Sequence, residues 1–508
     1  MTVVYLTDYH KNKDFAVRVL YLTKLSYISM KLKYFLTLFL LTLVSLAGNS
    51  KISLPHVFTD NMVIQADTIA QIWGKASPKA DVNITGSWGI DITVKADNNG
   101  SWKAWIETPP PSFEPVSITL TDLNDRESFT LNNVLPGEVW IASGQSNMEM
   151  PLRGFWHQPV EDAGDEIMFS EKNGKGIRFL NVPRVKSYEP LEDFDGSWQL
   201  SNPENAGEFS AAAWFFARFL KDIIDRPIGI ISNAWGGSKV EGWVNPDILA
   251  TYPDRDYEAE KDSGMNDWER VGIMFNSQLY PIKGYTAKGF LWNQGESNVG
   301  RHSDYPSRQN DMVELWRSIW GNPDMPFYFV ELPGWDYGDI NGTSAALFRE
   351  AQHKAESVTK NSHIISTSDL VYPDEADDIH ARNKKEIGKR LAAQAATYSY
   401  GIKGIPHKYP TFKRAEINGN RAEIFFNNVW QGFTPNDDLE GFEVAGEDRV
   451  FYPAKAHPLR EGLSIIVESE DVPDIKSVRY NFKNFAIGKI HDSFGLPLVP
   501  FRTDNWEN

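Results

Sequence analysis

Four short segments carry the residue types that acyl transfer needs. The first is Gly144-Gln145-Ser146-Asn147-Met148. A serine on a tight turn between a strand and a helix exposes its hydroxyl, and its own N–H beside the helix start can stabilise an oxyanion. The same serine would equally serve as a helix cap. The second is Asn233-Ala234-Trp235-Gly236-Gly237-Ser238. Paired glycines let a backbone N–H approach a substrate oxygen unobstructed, although an ordinary strand-to-helix turn uses them too. The third, Trp292-Asn293-Gln294-Gly295-Glu296-Ser297-Asn298, offers side-chain amides as a further oxyanion donor. The fourth supplies a base. A serine hydroxyl needs a proton acceptor near neutral pH, and of the 10 histidines His380 stands out, in Asp377-Asp378-Ile379-His380. An acid three residues before a histidine can fold back to hold Nδ1–H and leave Nε2 for the serine. The rival pairing is His491-Asp492. Most lone histidines are structural, so placement in the fold has to decide.

The elements around these segments give that placement. From Gly137 onward, short apolar strands (Val139–Ala142, Ile228–Ser232, Gly289–Trp292, Phe327–Val330, His363–Thr367) alternate with stretches of helical period (Ala211–Ile224, Asp311–Ile319, Ala345–Val358, Lys384–Thr397). Strands separated by helices imply crossover connections and a parallel sheet covered on both faces. In such sheets the ligand site lies at the carboxyl ends of the strands. The serine, glycine and amide segments each follow directly on a strand, and the histidine follows the last one. With 508 residues the chain is long enough for two to four domains. Residues 48–136 alternate as β, with Asp97-Asn98-Asn99-Gly100 as a turn, and read as an antiparallel sandwich. Residues 137–400 form the α/β unit, and 401–508 return to β through Ala422–Phe426, Leu463–Val467 and Ser477–Asn481.

Composition narrows the partners. The balance of 51 basic and 68 acidic residues gives a net charge of −17 without any basic run, which argues against nucleic acid as a partner. Cysteine is absent, excluding thiol catalysis, disulfides and Cys-ligated metal. Lys31 and Lys33 precede the apolar run Tyr34–Leu46, which ends in Ser45-Leu46-Ala47. This is the pattern of a secretory signal peptide cleaved after Ala47, with Met30 as a candidate start, and it predicts an exported protein, periplasmic or extracellular. The run is short for a membrane span, and an uncleaved anchor is the other reading.

The motif set Gly144–Met148, Trp235–Ser238, Gln294–Asn298 and Asp378-Ile379-His380 resembles that of sialate O-acetylesterases, within the wider SGNH (GDSL-like) hydrolases. Leu54–Gln65, Gly495-Leu496-Pro497 and Pro500–Asp504 extend the resemblance to nearly the whole mature chain. It implies a three-layer SGNH-type parallel-sheet catalytic domain flanked by small antiparallel β domains. It implies Ser146 as nucleophile and oxyanion donor, Gly237 or else Gly236 as second donor, and His380 as base. Gln294 stands where other SGNH enzymes carry asparagine. The wider superfamily's spacing selects Asp377 as the acid and the closer family's selects Asp378; the one-turn geometry favours Asp377. No metal or organic cofactor is implied. The implied substrate is an O-acetylated sialic acid, with Arg153 and Lys239 as partners for its carboxylate and Trp235 as a further binding residue. Alternatives are an acetyl esterase of xylan or another polysaccharide, a non-catalytic carbohydrate-binding protein, and a metal-dependent deacetylase.

Overall fold

One long strand joins the first two parts of the molecule. The computed structural model describes residues 52–261, 264–459 and 463–506, so the expected signal peptide, its cleavage site and Met30 lie outside the described residues. The strand β1 (Glu127–Gly144) is 18 residues long. Its first half pairs antiparallel with Val116–Asp122, and Leu135–Gly137 pairs parallel with Val63–Gln65. Up to Asn133 only Leu131 is buried, as in a sheet with one face to water; from Val134 to Gly144 every residue is buried, as in a parallel sheet covered on both faces. The boundary expected between 136 and 137 therefore falls inside a continuous strand. The two parts also share a core, with Trp198 Nε1 donating to the Val57 carbonyl and the Tyr285 hydroxyl to that of Val63.

The other strands of the central sheet are β2 (Ile177–Asn181), β3 (Gln199–Leu200), β4 (Ile228–Ala234), β5 (Gly289–Asn293), β6 (Phe327–Val330) and β7 (Ser362–Ile365). Their order is β7-β6-β5-β1-β4-β2-β3. All neighbours run parallel except β2 and β3. The short helix α1 (Ser146–Glu149) leaves the end of β1, followed by α2 (Ala211–Ile224), α3 (Tyr305–Trp320), α4 (Ser344–Val358) and α5 (Lys384–Tyr398). The third starts before the expected Asp311 because Pro306, harmless in a first helical turn, extends it upstream.

On one face α2 and α5 pack over Trp140, Ala142, Leu291 and Tyr328. They approach so closely that a Cβ on Gly388 would lie 2.5 Å from the Phe215 Cβ. On the other face α3 and α4 cover Trp292, Phe327 and Phe329. The C-terminal β unit has its own core and docks on α4, where Asn484 Oδ1 accepts from the Ala345 N–H at 2.9 Å. Among the described residues no helix is long and apolar enough to cross a membrane.

Gly144 ends β1 at φ +141°, and an added Cβ would stand 2.2 Å from the Asn293 carbonyl oxygen. Gly144→Ala is expected to cost about 1–3 kcal/mol through backbone strain alone, read as a lower denaturation midpoint, and to depress esterase turnover because Ser146 leaves the sheet from this residue.

Candidate active site

The carboxyl ends of β1, β4 and β5 meet around Ser146. Gln145 precedes α1; its N–H donates to the Asn293 carbonyl at 2.9 Å, and its Oε1 accepts from the N–H groups of Gly295 (3.2 Å) and Ser297 (3.4 Å). Ser146 is the first helical residue, partly exposed, and its hydroxyl has no hydrogen-bond partner among the described residues. The cap reading therefore fails, since the capping position belongs to Gln145. The Trp235 N–H donates to the Gly144 carbonyl at 2.9 Å, and a Cβ on Gly236 would lie 3.4 Å from the Ser146 Cβ. The glycine loop thus lies directly against the serine.

The two glycines differ in what their amides do. The Gly236 N–H donates to the Glu149 carboxylate, which Arg184 also holds at 2.6 Å. That corrects Gly236 as an alternative oxyanion donor, because its hydrogen is already used. Gly237 adopts φ +77° and its N–H has no partner among the described residues.

His380 lies just before α5. Its Nδ1 is 2.8 Å from Gln158 Oε1, and Gln158 Nε2 donates to Asp378 Oδ1 at 2.8 Å. The same carboxylate oxygen accepts the His380 backbone N–H at 2.9 Å and stands 4.0 Å from Nδ1. An amide oxygen only accepts, so Nδ1 carries the proton and Nε2 presents a lone pair. Nε2 is buried, with no hydrogen-bond partner among the described residues. Burial first, and the Lys384 ammonium second, hold the imidazole down to about 4 against the opposing pull of Asp378. Asp377 is exposed and makes no hydrogen bond among the described residues, so the acid beside His380 is Asp378 and the preference for Asp377 is corrected. The one-turn geometry fails because Asp378 sits closer in sequence and Gln158 bridges the gap. Nothing in the sequence around Gln158 signals this contact, which joins residues 222 apart.

Asn147 fastens α1, which carries Ser146, to the histidine segment. Its Nδ2 donates to the Glu296 carboxylate and, at 3.0 Å, to the Ile379 carbonyl, while its Oδ1 accepts from the Lys384 ammonium. Burial raises the Glu296 carboxyl and lowers Lys384 to about 8. Immediate neighbours of Ser146 and His380 are therefore in direct contact.

The remaining candidates lie elsewhere or are otherwise occupied. Both amide hydrogens of Gln294 are spent, on the Ser238 carbonyl (3.1 Å) and Asn298 Oδ1 (2.7 Å), so it braces the glycine loop and does not face an oxyanion. Trp235 is only 7% exposed and belongs to the core, leaving no face for a sugar. Arg153 is matched by a two-point pair with Glu208 at 2.6 and 3.1 Å. Lys239 is partly exposed, without an ion-pair partner among the described residues. His491 pairs with Asp369 at 3.3 Å, a carboxylate also held by Arg390, and serves the docking of the C-terminal unit. Among the described residues no group of three His, Asp or Glu side chains is arranged to hold a metal ion.

The family model of carbohydrate esterases described as sialic acid-specific acetylesterases (SASA) matches residues 136–397, which includes every residue of this site. The chain belongs to this family. It is 26% identical to the sialate O-acetylesterase of Mus musculus over 87% of this chain and 93% of that protein. It is 25% identical to that of Homo sapiens over 76% and 78%. A crystal structure of a carbohydrate acetylesterase from Xanthomonas citri superposes with a TM-score of 0.80 at 30% identity, covering 90% of this chain and all of the other. As a member of the SASA family the protein is a carboxylic ester hydrolase of the carbohydrate acetylesterase kind.

The His380 environment sets a pH dependence. An unfolded histidine titrates near 6.5 and this one near 4, so between those values the unfolded chain binds the extra proton. The stability contributed by neutral His380 is complete above pH 6.5 and is lost as pH falls toward 4. The acid limb of kcat/KM on a simple acetyl ester is expected nearer pH 4 than 6.5, checked by a pH–rate profile alongside NMR titration of the imidazole.

Proposed function

We propose that this protein is an exported serine esterase that removes O-acetyl groups from sialic acids through an acetyl-serine intermediate. What supports the reading is that the glycine loop lies against Ser146 and that Asn147, next to Ser146, donates to the carbonyl of Ile379, next to His380, while the Ser146 hydroxyl, the Gly237 N–H and His380 Nε2 have no hydrogen-bond partner among the described residues. Ser146 Oγ attacks the acetyl carbonyl carbon as its proton passes to His380 Nε2. The oxyanion takes hydrogen bonds from the N–H groups of Ser146 and Gly237, and losing one such donor costs roughly 10²–10³ in turnover. Collapse expels the sugar oxygen, which leaves with the proton from the imidazolium. Water, deprotonated by the same imidazole, then releases acetate. Gln158 keeps Nδ1 directed away from the serine, and its amide, polarised by its hydrogen bond to Asp378, stabilises the imidazolium as it forms. Gln294 acts indirectly, holding Ser238 so that Gly237 keeps its place.

Support for an anionic sugar comes from Lys239, two residues beyond Gly237 and without an acidic partner among the described residues, which suits a sialate carboxylate. The Xanthomonas citri protein is described as a carbohydrate acetylesterase, with no sialic acid in its name, and the second reading is an acetyl esterase of xylan or another acetylated polysaccharide. Acetate release from O-acetylated sialic acids and from acetylated xylan, measured side by side, decides between them. Export rests on the segment 31–47, and N-terminal sequencing of the protein recovered outside the cytoplasm checks it.

Ser146→Ala is expected to abolish hydrolysis of p-nitrophenyl acetate and of acetylated sugars with an unchanged melting temperature; retained turnover overturns the assignment. Gln158→Ala is expected to lower kcat by about 10- to 100-fold with little change in KM, the signature of a misaligned base. Steady-state kinetics on p-nitrophenyl acetate distinguish this from a loss of substrate binding.

A further inference from the structure

The turn that carries Gly237 is closed tightly, but its middle peptide is not held. The Ser238 N–H donates to the Trp235 carbonyl at 3.2 Å, closing a four-residue turn with Gly236 and Gly237 at its centre. Gly237 has φ +77°, the value of the third residue in a type II turn. Half a rotation of the Gly236–Gly237 peptide converts type II to type I and points the Gly237 N–H to the opposite side. Glycine at both positions tolerates either state. No hydrogen bond among the described residues holds this N–H. Its direction therefore depends on what grips the peptides on either side.

On one side the Gly236 N–H is held by Glu149 of α1. On the other, the Ser297 hydroxyl donates to the Gly237 carbonyl at 2.9 Å. The Ser297 backbone reaches the neighbouring segment as well, its N–H donating at 3.4 Å to Oε1 of Gln145, the residue before Ser146. Ser297 thus touches both the segment that carries the Ser146 N–H and the one that carries the Gly237 N–H. The far end of the glycine loop has separate anchors. Gln294 Nε2 donates to the Ser238 carbonyl, and Asn298 Oδ1 accepts the Val240 N–H at 3.0 Å. The buried Glu241 carboxylate accepts from Asn298 Nδ2 at 3.0 Å and so fixes which way that amide faces.

We infer that Ser297 is a positioning residue: gripping the Gly237 carbonyl while its backbone rests on Gln145, it fixes the spacing and direction of the two oxyanion donors, the N–H groups of Ser146 and Gly237. This rests on the serine-esterase reading above and deepens it. Ser297 itself touches no reacting atom, since its hydroxyl hydrogen is spent on the loop. Its effect falls on the tetrahedral stage, where negative charge gathers on the carbonyl oxygen, and not on binding of the neutral ester.

The test is Ser297→Ala, with Ser297→Thr as the variant that keeps the hydroxyl, measured on p-nitrophenyl acetate. In Ser297→Ala kcat is expected to fall about 10- to 100-fold with KM little changed, and Ser297→Thr to recover most of the loss. Affinity for benzeneboronic acid, which forms a tetrahedral adduct on the serine, is expected to fall in parallel, while the acid limb of the pH–rate profile, set by His380, stays in place. The losses in Ser297→Ala and Gly237→Ala are expected not to multiply in the double variant, because both act through one amide. The anchors at Gln294 and Asn298 remain in every variant, and rates are referred to the folded fraction read from a melting curve. A kcat in Ser297→Ala within about twofold of wild type, a rise in KM alone, or fully multiplicative losses overturn the proposal. Failure of the esterase reading looks different: wild type would not cleave p-nitrophenyl acetate, or Ser146→Ala would still cleave it.

Discussion

The site depends on a buried charge pair bridged by one amide. Glu296 comes from the loop after β5 and Lys384 from the start of α5, and both are buried. Asn147 stands between them, donating to the carboxylate and accepting from the ammonium. Opposite charges attract strongly where the effective dielectric is low, but only a complete arrangement recovers the cost of drying both ions. Removing any one of the three leaves a buried charge uncompensated. The arrangement therefore holds α1, the amide loop and the histidine segment in a single relative position, and it brings the Lys384 charge close enough to add to the burial that holds the His380 imidazole down.

The central sheet was readable in the sequence because its strands are short apolar runs punctuated by helices of strong period; β4, β6 and α2 fall where the pattern puts them. The serine, glycine and histidine segments were readable for the same reason, since each sits where a strand ends. Partners across space were not. Asp377 has the better local spacing, yet the chain around Pro373–Glu375 turns it to water and presents Asp378 instead. Gln158 could not be found at all, because a glutamine in a surface turn has no pattern of its own. Trp235 illustrates the converse: a tryptophan inside a functional motif is still apolar, and the core claimed it.

The same limit applies to the two glycine amides. Gly236 and Gly237 are indistinguishable as letters, and the difference lies in Glu149, which occupies one amide and leaves the other open. Glu149 is itself held by Arg184, so which of the two amides is left open is decided by an ion pair outside the motif. Gln294 follows a similar logic. Its side-chain amide is committed to Ser238 and Asn298, so it supports the loop that carries Gly237.

The strand that runs from the first β unit into the central sheet has a consequence for synthesis. As the chain leaves the ribosome, Val116–Asp122 presents an open edge until residues 127–134 arrive to cover it. Those residues are continuous with the middle strand of a sheet whose neighbours, β4 and β5, are made roughly a hundred residues later. The amino-terminal unit can complete its hydrogen bonding early while the far half of the same strand waits with bare edges. Such a nascent chain is exposed to mispairing over that interval, and the unit cannot be traded between proteins like a bead on a string.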